Sequence, residues 1–258
     1  ISDDDIRRSR RAYFANISYL DEKIGDVVAA LRATRQEAVI LFLGDHGDLL
    51  GECGLWFKMS FREGSSRVPL MISAPGLPPG RIDDPVSALD VCPTLCDLAG
   101  IDMTNIAPWT DGQSLLPTAR GTVRTAPVAI EYAAEGSITP LVCLRQGPWK
   151  YTRCLADPEQ LFDLDADPHE LHDLIRDPAC ADTLAGLRAE ADRRWDLEAY
   201  DAEVRASQAR RWVVYEALRQ GDYHPWDFQP RQDAANRYMR NHMDLNVLEE
   251  SKRFPRGE

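Results

Sequence analysis

No apolar run in this 258-residue chain approaches the roughly 20 residues that a membrane-spanning helix needs, so no such span is expected. Surplus positive charge is missing as well. The 30 Lys and Arg residues stand against 42 Asp and Glu, a net charge of -12. Nucleic-acid phosphates call for a basic surface, so this balance argues against nucleic acid as a partner; a cationic small molecule is not repelled. The six cysteines, at positions 53, 92, 96, 143, 154 and 180, do not make a zinc cage. Cys92 and Cys96 are separated by three residues, but no second pair completes the set. They read as reduced structural thiols of a cytoplasmic protein. The opening Ile1-Ser2-Asp3-Asp4-Asp5 has neither an initiator Met nor the charged-then-apolar order of a secretory signal. A fragment, a processed chain or the ordered part of a longer one is therefore expected. Internal repeats and low-complexity segments are not visible, and 44% apolar residues suit one large or two small domains.

What is present centres on residues 40–48, Ile-Leu-Phe-Leu-Gly-Asp-His-Gly-Asp. Four consecutive apolar residues read as a strand buried on both faces. Gly44 and Gly47 then allow a sharp turn. Side chains at such a tip sit at the carboxyl end of a strand, where open α/β sheets place ligands. Asp45 offers a hard oxygen and His46 an imidazole, and together they could hold a divalent cation. An ordinary turn or cap is the competing reading for the pair.

Around this tip the pattern alternates between helix and strand. Residues 3–31 predict a long helix, with Tyr13, Ile17, Leu20, Ile24, Val27 and Leu31 on one stripe and Ser2 or an early Asp as its cap. Arg7, Arg8, Arg10 and Arg11 fit a solvated face. A second apolar strand is predicted at 68–74, and a helix start near Pro93 with Ser87 or Asp90 at its cap. From residue 127 onward, strands are predicted at 128–132, 139–144 and 149–154, with a turn at Gln146-Gly147-Pro148. The acids between Glu159 and Glu170 lack the spacing and glycine of an EF-hand, and read as turn and cap acceptors. Residues 183–219 predict one helical stretch. The last segment, with its prolines and aromatics, is too apolar for simple disorder.

The order Asp45-His46-Gly47, a Gly-rich loop, Lys58, Arg67-Val68-Pro69 and a second strand resembles the C-terminal signature of type I sulfatases in the alkaline phosphatase superfamily. Residues 19–25, Asp90-Val91-Cys92-Pro93-Thr94-Leu95, Asp111-Gly112-Gln113-Ser114-Leu115 and residues 159–170 resemble further segments of that family. Residues 131–136, 223–230 and 238–246 resemble its choline-sulfatase branch.

The resemblance implies an α/β fold: a sulfatase-like mixed sheet flanked by helices, incomplete here, followed by a small antiparallel sheet with a helix and a C-terminal extension. The implied domains are 1–125 (part of the catalytic α/β domain), 126–200 (small sheet plus helix) and 201–258 (tail). It implies Asp45 as a ligand of a divalent cation, Ca2+ with Mn2+ or Mg2+ left open. His46 would be a metal ligand or a sulfuryl contact, and Lys58 a contact of the sulfate oxygens. Arg67 is expected to hold the loop through carbonyls. The family nucleophile, a formylglycine made from Cys or Ser in a Cys/Ser-x-Pro-x-Arg motif, has no counterpart here. It is expected on an absent N-terminal part, with the remaining metal ligands. The implied substrate is choline O-sulfate, its quaternary ammonium facing Glu135 or Asp244, the latter donated by the tail within a homo-oligomer. A phosphonate or phosphate monoester hydrolase of the same superfamily is the alternative, and an inactive fragment serving as an assembly partner is a third reading.

Overall fold

The structure, a computed structural model, describes residues 2–134 and 136–221. The chain divides into two units, Ile1–Leu197 and Glu198–Glu258.

The first unit opens with helix α1 (Asp3–Ala33). Ser2 caps it with a reciprocal pair of bonds: its side chain accepts from the Asp5 amide, and the Asp5 carboxylate accepts from the Ser2 amide. Three aspartates in the first turn suit the positive end of the helix dipole. The apolar stripe is present, but none of its residues is fully buried, and Ile17, Leu20 and Val27 are exposed.

Strand β1 (Ile40–Leu43) pairs antiparallel with β4 (Leu70–Ser73), in the register Ile40 with Ser73 and Leu43 with Leu70. The expected strand burial on both faces is not observed. Residues 40–42 are half-buried and Leu43 is exposed, because β4 is the one strand paired with β1 among the described residues. Between them, β2 (Leu49–Leu50) and β3 (Trp56–Phe57) form a short hairpin, followed by a single helical turn, α2 (Glu63–Ser66). Strand β4 starts two residues later than predicted, after Pro69, whose missing N–H cannot join the ladder.

Helix α3 (Val91–Leu98) follows a 3-10 turn capped by Ser87, with Pro93 buried in its first turn. The short α4 (Leu116–Ala119) lies beyond a loop that α3 anchors. The Thr94 hydroxyl donates to the Asp90 carbonyl at 2.6 Å and accepts from the Leu115 amide at 2.9 Å. Two of the sequence segments singled out above are thus stitched together by one buried side chain.

A four-stranded antiparallel meander follows: β5 (Val128–Tyr132), β6 (Leu141–Gln146), β7 (Trp149–Cys154) and β8 (Gln160–Asp163). The register sets Leu144, Tyr151 and Leu161 side by side. That row packs against Leu184, Leu187 and Ala191 of helix α5 (Ala181–Arg194), whose spacing places them on one face. The next row, Arg145, Lys150 and Phe162, alternates to the opposite face of the sheet. Strand β6 begins at Leu141 rather than 139, because the chain reaches the ladder only after Pro140.

The single helix predicted over 183–219 is two. Trp195 adopts an extended backbone (φ -131, ψ 128), and its indole N–H donates to Glu131 on β5 at 2.6 Å. That tie ends α5 before helix α6 (Leu197–Arg219) begins. In the second unit, α6 carries an Arg205–Asp201 ion pair one turn apart and a Trp212–Tyr215 ring contact. No helix among the described residues is long and apolar enough to cross a membrane.

Candidate active site

Asp45, His46 and Lys58 converge at the carboxyl end of β1. The Lys58 ammonium lies 2.8 Å from His46 Nε2, and the same nitrogen is 3.5 Å from Asp45 Oδ2. His46 Nδ1 is 3.0 Å from the carbonyl of Gly47, which can only accept. Nδ1 therefore carries the proton in the neutral ring, and Nε2 is left as the acceptor toward Lys58. Both contacts select the same tautomer.

The Asp45 carboxylate accepts from the His46 amide at 2.9 Å, and this bond, with the nearby imidazole and ammonium, holds its pKa below the usual value. Asp45 thus stays ionised and faces solvent with 88% of its side-chain surface exposed. It is an available oxygen ligand rather than a buried salt-bridge partner.

The backbone around Lys58 is unusual. Phe57 (φ 66) and Met59 (φ 69) are both left-handed, a conformation that costs a non-glycine residue about 1–2 kcal/mol. Such strain on both sides of one lysine has to be held by its surroundings, a pattern concentrated at functional sites.

The turn itself is fixed from behind. The Gly47 amide donates to the Ser65 carbonyl in α2 at 2.8 Å, and a Cβ on Gly47 would lie 2.2 Å from the Gly64 carbonyl oxygen. Glycine is required here by close backbone approach. The loop closes through the Arg67 amide, which donates to the Glu63 carbonyl at 3.0 Å. From the other side, Arg10 of α1 donates to the Leu50 carbonyl and pairs with Glu52. Burial and the neighbouring Asp48 charge push the Tyr13 phenol pKa up.

One carboxylate and one imidazole form only part of a coordination shell. Among the described residues no three His, Cys, Asp or Glu side chains gather into a metal-binding group. Ca2+ takes six to eight oxygen ligands, so Asp45 and His46 fit a cation site only as contributors to a larger set. Because His46 Nε2 is engaged by Lys58, Asp45 is the better placed ligand, and the Lys58 ammonium is the donor suited to an anion.

Glu135 and Asp244, the two carboxylates singled out for a quaternary ammonium, lie outside the described residues. In the acidic stretch between Glu159 and Glu170, Asp163 accepts from the amides of Asp165 and Ala166, and Asp167 from that of His172. One group that sequence reasoning passed over is a buried ionic cluster behind α2: Lys150, Glu63 and Glu170. Nothing in the local sequence marks it, because its carboxylates are 107 residues apart and Lys150 sits in a strand of mixed polarity.

The sequence profile of the sulfatase family fits residues 2–101, the part of the chain that carries this tip. A second profile, described as choline sulfatase enzyme C terminal, fits residues 202–254. Residues 2–101 thus belong to the sulfatase family, and residues 202–254 to the C-terminal family of choline sulfatases. The choline-sulfatase of Rhizobium meliloti (strain 1021) is 61% identical across the whole chain, which covers 51% of that protein. Arylsulfatase K of Danio rerio is 39% identical over 63% of the chain and 33% of its own length. Among solved structures, a phosphonate monoester hydrolase from Silicibacter pomeroyi superposes with a TM-score of 0.56 at 28% identity, covering 67% of this chain and 38% of its own. The chain therefore spans about half or less of the length of these relatives.

Proposed function

We propose that this chain forms part of a sulfuric ester hydrolase that cleaves choline O-sulfate to choline and sulfate. The observation that carries the reading is the Lys58–His46 contact at 2.8 Å beside the ionised Asp45, at the tip of β1. Identity of 61% to a choline-sulfatase supports the substrate. Asp45 would contribute an oxygen to a divalent cation, Ca2+ or alternatively Mn2+ or Mg2+. Lys58 would hold the equatorial sulfuryl oxygens, whose negative charge must be offset as the S–O bond breaks, and His46 Nε2, once released by Lys58, would be free as a second ligand of the cation. When present, the cation polarises the ester, and a formylglycine outside these 258 residues supplies the nucleophile. Glu135, and Asp244 from a neighbouring subunit, would face the quaternary ammonium, which offers no hydrogen-bond donor. In this reading the enzyme is cytoplasmic and oligomerises through the tail, 201–258, while 1–125 and 126–200 act as the catalytic and small-sheet domains.

A phosphonate monoester hydrolase is the second reading, favoured by the Silicibacter pomeroyi neighbour. The tail, matched by the choline sulfatase profile, weighs against it. The test is to assay the complete protein on choline O-sulfate and on an aryl phosphonate, with and without a chelator. Chelator-sensitive preference for choline O-sulfate is expected; preference for the phosphonate would overturn the assignment. An open reading frame encoding Cys-x-Pro-x-Arg directly upstream is also expected. If no such frame exists and the 258-residue chain is inert, the third reading, an assembly partner, replaces this one.

A further inference from the structure

Lys150 is the second residue of β7, with 1% of its side chain exposed. Its ammonium is 2.9 Å from Glu63 Oε1 and 3.0 Å from Glu170 Oε1. The second oxygen of Glu170 accepts from the Glu63 amide at 2.8 Å, and its carbonyl accepts from Arg62. The Arg62 guanidinium lies over the Phe162 ring of β8, 5.2 Å from its centroid. All of these contacts grip the N-terminal end of α2 from the meander side. Glu170 is itself left-handed (φ 56), so backbone strain is spent to aim it.

The grip does not stop at α2. Two residues on, the Ser65 carbonyl takes the Gly47 N–H at 2.8 Å, and the Gly47 and Gly64 backbones touch. Gly47 in turn presents the carbonyl that faces His46 Nδ1. Four links thus join Lys150 to the imidazole: an ion pair, one helical turn, one backbone hydrogen bond and the Gly47 carbonyl contact with Nδ1.

Stability is a weak reason for such a cluster. A buried ion pair repays its desolvation only with good geometry, and well-packed apolar residues often serve as well. What the charges supply here is direction: they fix where the α2 carbonyls point. We infer that Lys150, with Glu63 and Glu170, is a positioning device that holds the Gly47 peptide so that His46 keeps its proton on Nδ1 and turns Nε2 toward Lys58. The catalytic meaning rests on the function proposed above. The geometric claim does not, and a protein without sulfatase activity would leave it intact.

The test reads the His46 tautomer directly. The complete protein is labelled with 15N, and long-range proton–nitrogen correlations of its histidines are recorded where the rings are neutral, the His46 signals being assigned by their loss in His46→Gln. In the parent, His46 should show one Nδ1–H form, with well-separated Nδ1 and Nε2 resonances. In Lys150→Met the two should move toward each other as the tautomers mix, and Lys150→Arg should restore most of the separation. Asp90→Asn, which damages a buried ion pair off this path, should leave His46 as in the parent. If Lys150→Met does not fold by circular dichroism, Lys150→Met/Glu63→Gln/Glu170→Gln, which removes all three charges, takes its place with the same expectation. A folded variant whose His46 is unchanged would overturn the inference. So would an equal change in Asp90→Asn, or a parent ring protonated on Nε2. Failure of both cluster variants to fold would also overturn it, since a scaffold role would then account for the cluster.

Discussion

Arg124 closes on the buried carboxylate of Asp90 through both terminal nitrogens, Nη1 at 2.7 Å from Oδ2 and Nη2 at 3.4 Å from Oδ1. Asp90 also accepts from the amides of Ser87 and Gln113, so one fully buried side chain ties together the start of α3, the loop before α4 and the segment leading to β5. Replacing it with Ala leaves a nearly buried guanidinium without its counter-charge and two amides without acceptors. Asp90→Ala should therefore destabilise the chain by about 3–5 kcal/mol. Urea denaturation checks this, and a loss under about 1 kcal/mol, typical of a surface pair, would contradict it.

Two glycines should respond in opposite directions to the same substitution. A methyl on Gly47 would meet the Gly64 carbonyl oxygen at 2.2 Å, so Gly47→Ala must push α2 away from the tip. The expected cost is about 1–3 kcal/mol, the range for forced overpacking. Gly25 lies within α1 with nothing within 4 Å of its would-be Cβ, so Gly25→Ala should stabilise by about 0.5–1 kcal/mol. Thermal denaturation of both variants beside the parent distinguishes them.

The features legible in the sequence are those set by short-range pattern. Val128–Tyr132 and Trp149–Cys154 emerge as strands within the residues predicted, because alternation and flanking turns mark them. Ser2 as a cap and Pro93 in a first turn follow from chemistry that acts over three or four residues. The break at Trp195 was not legible. No Gly or Pro signals it, and its cause is an indole–carboxylate bond to Glu131, 64 residues earlier. The Lys150 cluster is hidden for the same reason. A lysine in a strand reads as solvent-facing until a second layer, here α2 and Glu170, is laid over it. Exposure of the α1 stripe, too, depends on what packs against it and not on its spacing.

Acid should weaken α5 through one carboxylate. Glu190 accepts from Arg193 and Arg194, all at 2.6–2.7 Å, and these bonds lower its pKa from 4.5 to about 2. A depressed carboxylate stabilises the fold fully above its unfolded value. That stabilisation is lost as pH falls through the folded one, so the window runs from 4.5 down to about 2. The pairs lie within one helix near the surface, so the effect should stay below about 1 kcal/mol after solvent screening. Glu190→Gln should flatten the pH dependence of the urea midpoint across that window. An unchanged slope would show that Glu190 keeps no such advantage over the unfolded chain.

Lys58 offers the sharpest check on the proposed chemistry. Its ammonium lies between two left-handed neighbours and rests on His46 Nε2, close enough to Asp45 for its charge to lower that carboxylate's pKa. An anionic ester entering this tip could exchange the imidazole contact for sulfuryl oxygens. If those oxygens gain charge in the transition state, removing the ammonium should lower kcat more than it raises KM. In the complete protein, Lys58→Ala should reduce kcat/KM for choline O-sulfate by about 10²–10³, as for loss of one oxyanion donor. Lys58→Arg should recover little, because a planar guanidinium cannot replace a point charge held at this angle. Steady-state kinetics with both variants decide the matter. Divalent-cation affinity provides the control, since it should fall with Asp45→Asn and hold with Lys58→Ala. A Lys58→Ala protein with parental kcat would return Lys58 to the role of a solvated loop residue.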